Sequence, residues 1–356
     1  MSIELQSLLN RHHGEYAVLP GTDGSSLLVL PRSGRLLGLV PNQANAVLPF
    51  WTPAISASPE HWNVGGDRTW ISPELEYFVD TNGQYIVPHS LDPGNWSLEV
   101  STTEEIRLRM NGVIRHRTTS LPIQLHISKR FSHLPNPLLQ NYSTRSLAEH
   151  SVSYAGCQII TELSLEPVGD ADHLAGAGAD GYCSLWSIMQ LPPDGAALIP
   201  TLGKAQPLIM FADGQPDAIH CSPHGTSISC GGHVKFKLSF DAIASTGRFS
   251  YIRRLSGDRS TLIIRQFAVQ PAAVYPDYPP DEPYYRGSCV QVFNDGGQLG
   301  SFAELEYHAP ALPIWQPGRS TDRSELFYYT GPSSAIAHIA ERMLGMPLHE
   351  QINSLS

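Results

Sequence analysis

Alternation of apolar and polar residues, interrupted at short intervals by turn residues, is the feature that most constrains the fold of this chain. Side chains two residues apart lie on the same face of a β-strand, so each such segment is typical of a strand with one buried face. Two successive segments show the pattern most clearly: Ile106, Leu108 and Met110, then Ile123, Leu125 and Ile127. With 30 glycines and 29 prolines among 356 residues, turns are frequent and long helices are disfavoured. We expect a mainly β fold, a large antiparallel β-sandwich.

Two helical patterns are expected beside the strands. Leucines spaced for one helix face predict a short helix at about residues 3–13, near the N-terminus. A stronger pattern predicts a helix at about 333–345, because Ile336, Ile339 and Leu344 share one face and Gly345 can end it. No linker divides the chain, so we expect one domain over residues 1–356.

Composition excludes several classes of partner. The formal net charge is −10, which disfavours nucleic acid, since that binding depends on Lys and Arg neutralising phosphates. No apolar run approaches the roughly 20 residues that span a bilayer, and the N-terminus has no signal-peptide pattern. Five scattered cysteines do not predict a disulfide framework. We expect a cytoplasmic protein without cofactor; its oligomeric state is open.

The segment "WNVGGDRTWISPE" at 62–74 is the first candidate for a site. Arg68 lies between Trp62 and Trp70, and Glu74 follows. Tryptophan rings can stack on the apolar faces of a sugar while Arg and carboxylate side chains bind its hydroxyls. The alternative interpretation is structural: an Arg–Glu pair that closes a corner over two core tryptophans.

Two further segments carry groups that can transfer protons. The loop "VPHSLDPGNW" at 87–96 contains His89 and Asp92; histidine titrates near neutral pH, although loop histidines are often plain surface residues. On the predicted strand "FAELEYHAP" at 302–310, Glu304 and Glu306 share one face. Two neighbouring carboxylates repel each other, so one of them can have a raised pKa and act as a base near pH 7. If that face is wet, both are ordinary exposed charges.

A cysteine–histidine cluster at 220–233 is a candidate metal site. Two pairs with C-x2-H spacing, Cys221 with His224 and Cys230 with His233, have the ligand types that zinc prefers. The segment between the pairs is shorter than in familiar zinc fingers, and a chain of this size does not need a metal to fold. Reactive or merely buried cysteines on a β-hairpin, with no bound metal, are the interpretation we favour.

Four motifs in order give the chain a resemblance to aldose 1-epimerases, the galactose mutarotase-like proteins. They are "LPRSGRLLGLVPNQAN", similar to the opening strands, then "GGDRTW", "PHSLDPGNW", and "ELEYHAP" followed by "WQPGRS". The resemblance places Arg68 at a substrate-contacting arginine, His89 at an active-site histidine, and Glu304 or Glu306 at the catalytic glutamate. It implies a large β-sandwich with a sugar in its concave face.

The resemblance also implies a reaction and exposes one departure from it. In such enzymes a glutamate takes the proton of the anomeric hydroxyl and a histidine protonates the ring oxygen. Here "WSIMQL" puts Trp186 at the acid histidine and Gln190 at an asparagine. His89 or His308 would then have to supply the acid. Trp70 and Trp186 would be stacking walls, with Glu74, Asp92 and Gln190 as further substrate-binding residues.

Three functions follow as hypotheses. The first is an aldose epimerase-type isomerase that binds a small carbohydrate. The second is a lyase or glycosidase-related enzyme on the same fold, for which Arg68 would bind a uronate carboxylate. The third is a sugar-binding or sugar-sensing module without catalysis, which kept the cleft after losing the acid.

Overall fold

The computed structural model describes residues 16–43, 46–53, 61–140, 152–169, 181–216 and 218–347. The helix predicted at about 3–13 lies outside these residues. Twenty strands run through the described part of the chain: β1 Ala17–Pro20, β2 Ser26–Leu30, β3 Arg35–Val40, β4 Asp67–Ser72, β5 Ser97–Ser101, β6 Glu105–Arg115, β7 Pro122–His133, β8 Ser153–Pro167, β9 Tyr182–Leu191, β10 Gly195–Pro200, β11 Leu208–Ala212, β12 Ile219–Ser222, β13 Gly225–Cys230, β14 Phe236–Asp241, β15 Arg248–Arg254, β16 Arg259–Phe267, β17 Ser288–Asn294, β18 Ala303–His308, β19 Leu312–Pro313 and β20 Gly318–Pro332.

The strands form two large antiparallel sheets. The first sheet has the order β1-β2-β3-β4-β9-β18-β17-β14-β11, with β19 pairing to β9, and the second has the order β12-β13-β10-β15-β16-β20-β8-β7-β6-β5. All strand pairs are antiparallel. The predicted mainly β, antiparallel class is confirmed.

The main core lies between the two sheets. Leu305 and Met189 of the first sheet belong to the same buried cluster as Ile106, Phe131 and Ile159 of the second. The apolar residues that alternate along β6 and β7 are buried, as their period of two predicts. Because one face of β18 is committed to this core, residues 304, 306 and 308 project from the opposite face of the first sheet.

Few residues are helical. A single turn, α1 (Glu74–Tyr77), follows β4, and α2 (Ser333–Leu344) follows β20. Helix α2 appears where the pattern predicts it, ends at Gly345 with φ of 70°, and packs Ile336 and Ile339 on the outer face of the second sheet. Within the described residues, no helix is long and apolar enough to cross a membrane.

Two glycines bring the chain into strand β4. Gly65 and Gly66 have φ of 84° and 82°, values that non-glycine residues rarely adopt. A Cβ on Gly65 would lie 2.2 Å from the carbonyl oxygen of Trp51, so a side chain is excluded there as well. The segment 62–74 is therefore not only a corner: its second half is a strand between β3 and β9.

Candidate functional site

The outward face of the first sheet collects most of the predicted site residues. Pairing of β9 with β18 sets Gln190 opposite Glu304 and Trp186 opposite His308. Pairing of β4 with β9 sets Trp70 opposite Trp186. Since directly paired residues project to the same side of a sheet, residues more than 200 positions apart share one surface.

A cavity of about 440 Å³ opens on this surface. Its lining combines tryptophans, both glutamates of β18, three cations and a set of apolar side chains. The lining residues are Trp62, Arg68, Trp70, Glu74, Leu75, Tyr85, Trp186, Met210, Phe211, Lys235, Lys237, Asp277, Tyr278, Pro280, Phe293, Leu299, Phe302, Glu304 and Glu306.

Arg68 and Glu304 form the first of two buried ion pairs in the cavity. Arg68 Nη2 donates to Glu304 Oε1 at 2.9 Å, and the two side chains are 4% and 7% exposed. The guanidinium lies 3.9 Å from the centroid of the Trp70 ring. Its Nε and Nη1 atoms are buried without a hydrogen-bond partner in the structure. Unpaired buried donors are costly, so the Arg68 guanidinium is only partly satisfied by its pair with Glu304.

Glu306 and Lys237 form the second ion pair. Lys237 Nζ lies 3.2 Å from Glu306 Oε2 and donates to Glu74 Oε2 at 2.8 Å. Trp186 Nε1 donates to the same Glu306 oxygen at 2.8 Å. The ammonium is 4.4 Å from the centroid of the Trp186 ring. The Trp186 indole, which the sequence resemblance set at an acid histidine, thus donates to a carboxylate.

Burial shifts the pKa of each carboxyl of β18 upward. Desolvation raises the pKa of Glu306 to about 8, further raised by Glu304 and Glu74 and opposed by Lys237. Desolvation also raises the pKa of Glu304, and Arg68 opposes that rise. For Lys237, burial acts to lower the pKa, but Glu306, Glu74 and Asp277 outweigh burial and raise it. Glu306 is therefore the carboxyl that can hold a proton near neutral pH.

Asp92 anchors one tryptophan wall from behind. Its Oδ2 accepts hydrogen bonds from Trp70 Nε1 at 2.8 Å and from Arg35 Nη2 at 2.5 Å. Asp92 is buried and does not line the cavity. Predicted as a substrate-binding residue, it instead fixes the ring of Trp70, which packs edge-to-face on Trp186 with ring centroids 5.7 Å apart and an interplanar angle of 72°.

A loop from residue 275 to 286 closes one side of the cavity. Tyr278 donates to Glu76 of α1 at 2.8 Å, and Asp277 accepts from the backbone N–H of Glu74 at 2.8 Å. These contacts fix the loop to α1 and bring Tyr278 and Pro280 to the cavity lining. Tyr85, half exposed, contributes from the turn that follows α1.

His308 lies beneath the cavity and does not line it. It is fully buried, stacks on Trp186, and bonds Ser72 Oγ through Nδ1 at 2.9 Å. Gln291 donates its Nε2 to Asp277 at 2.6 Å, so its Oε1 accepts from His308 Nε2 at 3.1 Å. Burial lowers the pKa of His308 well below its usual value, with Lys237 contributing. Burial therefore favours the neutral ring, whose two nitrogens hydrogen-bond the buried side chains of Ser72 and Gln291.

Two more predicted site residues also lie outside the cavity lining. His89 is exposed at the start of the short helical turn Ser90–Gly94. Gln190 is buried beside Glu304 and donates to Asn63 Oδ1 at 2.8 Å, while its own Oε1 has no hydrogen-bond partner in the structure. Arg68, Trp70, Glu74, Trp186, Glu304 and Glu306 are the predicted residues that the cavity brings together.

The cysteine–histidine cluster does not converge. Cys221 pairs with Thr226, four residues before Cys230 on β13, so the two thiols are about 13 Å apart along the strand. Cys230 is buried, whereas His224 and His233 are exposed. In the described part of the chain, no three His, Cys, Asp or Glu side chains group for a metal. All five cysteines, each in a described segment, are free thiols.

Several residues of the cavity were missed by the sequence interpretation. Lys237 lies on β14 between buried Phe236 and Leu238, and Lys235 immediately precedes the strand; the alternation of lysines with apolar residues over 235–238 was the available signal. Asp277, Tyr278 and Phe211 carry no local signal, because only tertiary contacts bring the loop and the edge strand β11 to the cavity.

Comparison with known proteins gives a family. A family model described as "Family of unknown function (DUF6786)" matches residues 54–355. The chain belongs to this family. A search of curated proteins found no match.

Solved structures that resemble the chain include three described as sugar enzymes or their homologues. A GalM/aldose epimerase homologue from C. elegans has 10% identity and a TM-score of 0.43, covering 89% of this chain and 98% of its own. Galactose 1-epimerase from Lactobacillus acidophilus has 9% identity and a TM-score of 0.38, covering 88% and 94%. A GH36 alpha-galactosidase from Geobacillus stearothermophilus has 11% identity and a TM-score of 0.36, covering 89% and 41%.

Proposed function

We propose that the cavity binds a carbohydrate and that Glu304 and Glu306 transfer protons on it, in an aldose epimerase-type isomerisation. One observation carries the proposal: two buried carboxyls project from one strand face into a tryptophan-lined cavity, and each is paired with a cation. A buried ionisable pair is costly unless it is satisfied, and such pairs concentrate at functional sites.

The lining suits a sugar ring. Trp62, Trp70 and Trp186 offer apolar ring faces for C–H groups, and Arg68 brings a guanidinium to the same lining. Lys237 and Glu74, which are paired with each other, add a cation and a carboxylate to the same lining. The combination of aromatic faces and charged hydrogen-bonding groups supports carbohydrate as the ligand class.

Glu304 and Glu306 take complementary roles in the proposal. The Arg68 guanidinium favours the charged form of Glu304, which would accept the proton of the anomeric hydroxyl. Glu306, with its pKa raised to about 8, would donate a proton to the ring oxygen as the C1–O5 bond breaks. Rotation and reclosure reverse both transfers, so protons balance. Glu306 replaces the histidine acid expected from the sequence, since His89 and His308 do not line the cavity.

NMR exchange spectroscopy between anomers tests the reaction on a panel of hexoses and pentoses. We expect acceleration for at least one sugar, and a loss of about 100-fold or more for Glu304→Gln and Glu306→Gln, the range for removing a general acid or base. His89→Gln should retain activity, and exposed Glu162→Gln of β8 is the matched carboxyl control. A panel with no rate above buffer would contradict the isomerase.

A non-catalytic sugar-binding module is the second candidate, favoured by one observation. Both carboxyls already bind partners within the protein, and Trp186, whose indole does not act as a proton donor to a sugar, lies where the sequence resemblance sets the acid histidine. Calorimetric binding of a sugar without turnover, retained in both glutamine variants, would favour this module. The lyase or glycosidase hypothesis and the cytoplasmic location remain predictions from the sequence.

A further inference from the structure

The cavity contains an apolar wall that the proposed chemistry does not use. Phe211 and Phe293 contact each other with ring centroids 6.3 Å apart, and Phe293 contacts Phe302 at 6.1 Å. We call these three residues the Phe wall. Met210 and Leu299 line the same cavity and extend its apolar surface.

The Phe wall begins beside the carboxylate and runs to the edge of the first sheet. Phe293 on β17 lies opposite Glu304 on one side and opposite Lys237 on the other. Lys237 in turn lies opposite Phe211 on the edge strand β11. Three strand spacings separate Glu304 from Phe211, about 14 Å. This span is longer than one pyranose ring.

The wall offers a sugar hydroxyl few partners. Lys237 directs its ammonium to Glu306 and Glu74, and Lys235 lies 5.7 Å from the centroid of the Phe211 ring at the border. A hydroxyl placed against phenyl rings would lose its water without gaining a hydrogen bond. Phe211 is 37% exposed and Leu299 46% exposed, so an apolar group bound there would remove both from water.

We propose that the ligand is a sugar that carries an apolar substituent, an aryl group, bound along the Phe wall while the sugar ring lies among the tryptophans and ion pairs. This inference rests on the proposed carbohydrate function. It names the substrate class more narrowly: an amphiphilic carbohydrate, with its polar ring near Glu304 and its aryl group toward the edge strand β11.

Isothermal titration calorimetry with matched probes tests the inference. Phenyl hexosides carry the aryl group on C1 and are compared with methyl hexosides. 6-O-benzyl hexoses carry it on C6 with C1 free and are compared with 6-O-methyl hexoses. We expect an aryl probe to bind about tenfold tighter than its methyl partner, from the apolar area that it buries. The double variant Phe211→Thr/Leu299→Thr should lose that preference. Ile209→Thr is the matched control, since Ile209 is 54% exposed on the same edge strand but does not line this cavity.

The outcomes separate this inference from the proposed function. Equal affinity of aryl and methyl probes overturns the inference and leaves carbohydrate binding intact. A preference that survives in the double variant also overturns it, because the aryl group then binds elsewhere. No binding of any sugar, methyl or aryl, contradicts the proposed function first.

Discussion

The two sheets each present a charged surface, and the surfaces differ in burial. On the second sheet an open groove of about 550 Å³ follows strands β5 to β8 and β20. Arginines and glutamates dominate its lining: Glu99, Arg107, Arg109, Arg130, Glu162 and Arg319. Both surfaces arise from alternating charged residues on strands. A charged strand face is therefore not by itself a site.

Burial distinguishes the cation–carboxylate pairs of the two surfaces. In the groove, Arg109 and Glu99 lie 3.5 Å apart with side chains 52% and 35% exposed. In the cavity, Lys237 and Glu306 lie 3.2 Å apart with side chains 4% and 1% exposed. Water screens the charges of the first pair. The second pair is desolvated, so removal of either partner would leave the other as an uncompensated buried charge. In the cavity, burial raises the pKa of Glu306 to about 8.

Removing the buried cation should produce the largest effect. Lys237→Met leaves Glu306, Glu74 and Asp277 without their shared ammonium, so we expect the free energy of unfolding to fall by about 3–5 kcal/mol. Urea unfolding near pH 7.5 measures this. Arg109→Met in the groove is the matched cation-to-methionine control. An equally small change in both variants would show that the buried pair contributes no more than the exposed one.

The pH dependence of stability should distinguish Glu306 from exposed carboxyls. Its pKa is raised from 4.5 to about 8 on folding, so between those values the folded protein holds a proton that the unfolded chain has lost. The contribution of Glu306 to the free energy of unfolding is therefore fully present below pH 4.5 and is lost as pH rises toward 8. The slope is at most about 1.4 kcal/mol per pH unit.

Glu306→Gln should flatten that slope. Unfolding at pH 5, 6.5 and 8 compares it with the unchanged protein, and Glu162→Gln should run parallel to the unchanged protein. His308, with its pKa lowered, favours the folded state more as pH rises through 6.5, but both proteins contain it, so the difference isolates Glu306. Parallel curves for Glu306→Gln would contradict the raised pKa.

The smallest effect is expected in the groove. Arg109→Met should change the free energy of unfolding by about 1 kcal/mol or less, because an exposed pair gains little over hydration. Any effect should shrink in about 0.5 M salt, where screening is strong. Unfolding at two salt concentrations measures it. A large, salt-insensitive loss would remove the contrast between the two surfaces.

Much of the fold was predictable because strand and helix periods are local. Alternation along β6 and β7 and the apolar stripe of α2 depend on neighbouring residues, and both appear as expected. Glu304 and Glu306 were predictable for the same reason: the face of a strand on which a residue lies follows from its parity. Arg68 was predicted instead from its flanking tryptophans and from the motif resemblance. The order of the four motifs then predicted that segments far apart in the chain contribute to one site.

The roles of Asp92 and His308 were not predictable in the same way. Each is a polar residue in a suggestive segment, yet Asp92 is used to hold Trp70 and Arg35, and His308 bonds Ser72 and Gln291. Lys237 was missed for the converse reason, since a lysine on a strand is unremarkable until its burial is known. Partners from other strands decide these roles.

The sequence by itself determined the antiparallel β class, the position of α2, and the presence of two glutamates on one strand face. Only the tertiary structure decided which charges are buried, and so which carboxyl has a raised pKa. The physical reason is the separation in sequence of the residues that set each property. Side-chain direction is set by a residue's neighbours in sequence. Desolvation and ion pairing depend on groups from across the chain, which Gly65, β4, β9, β14 and β18 bring together.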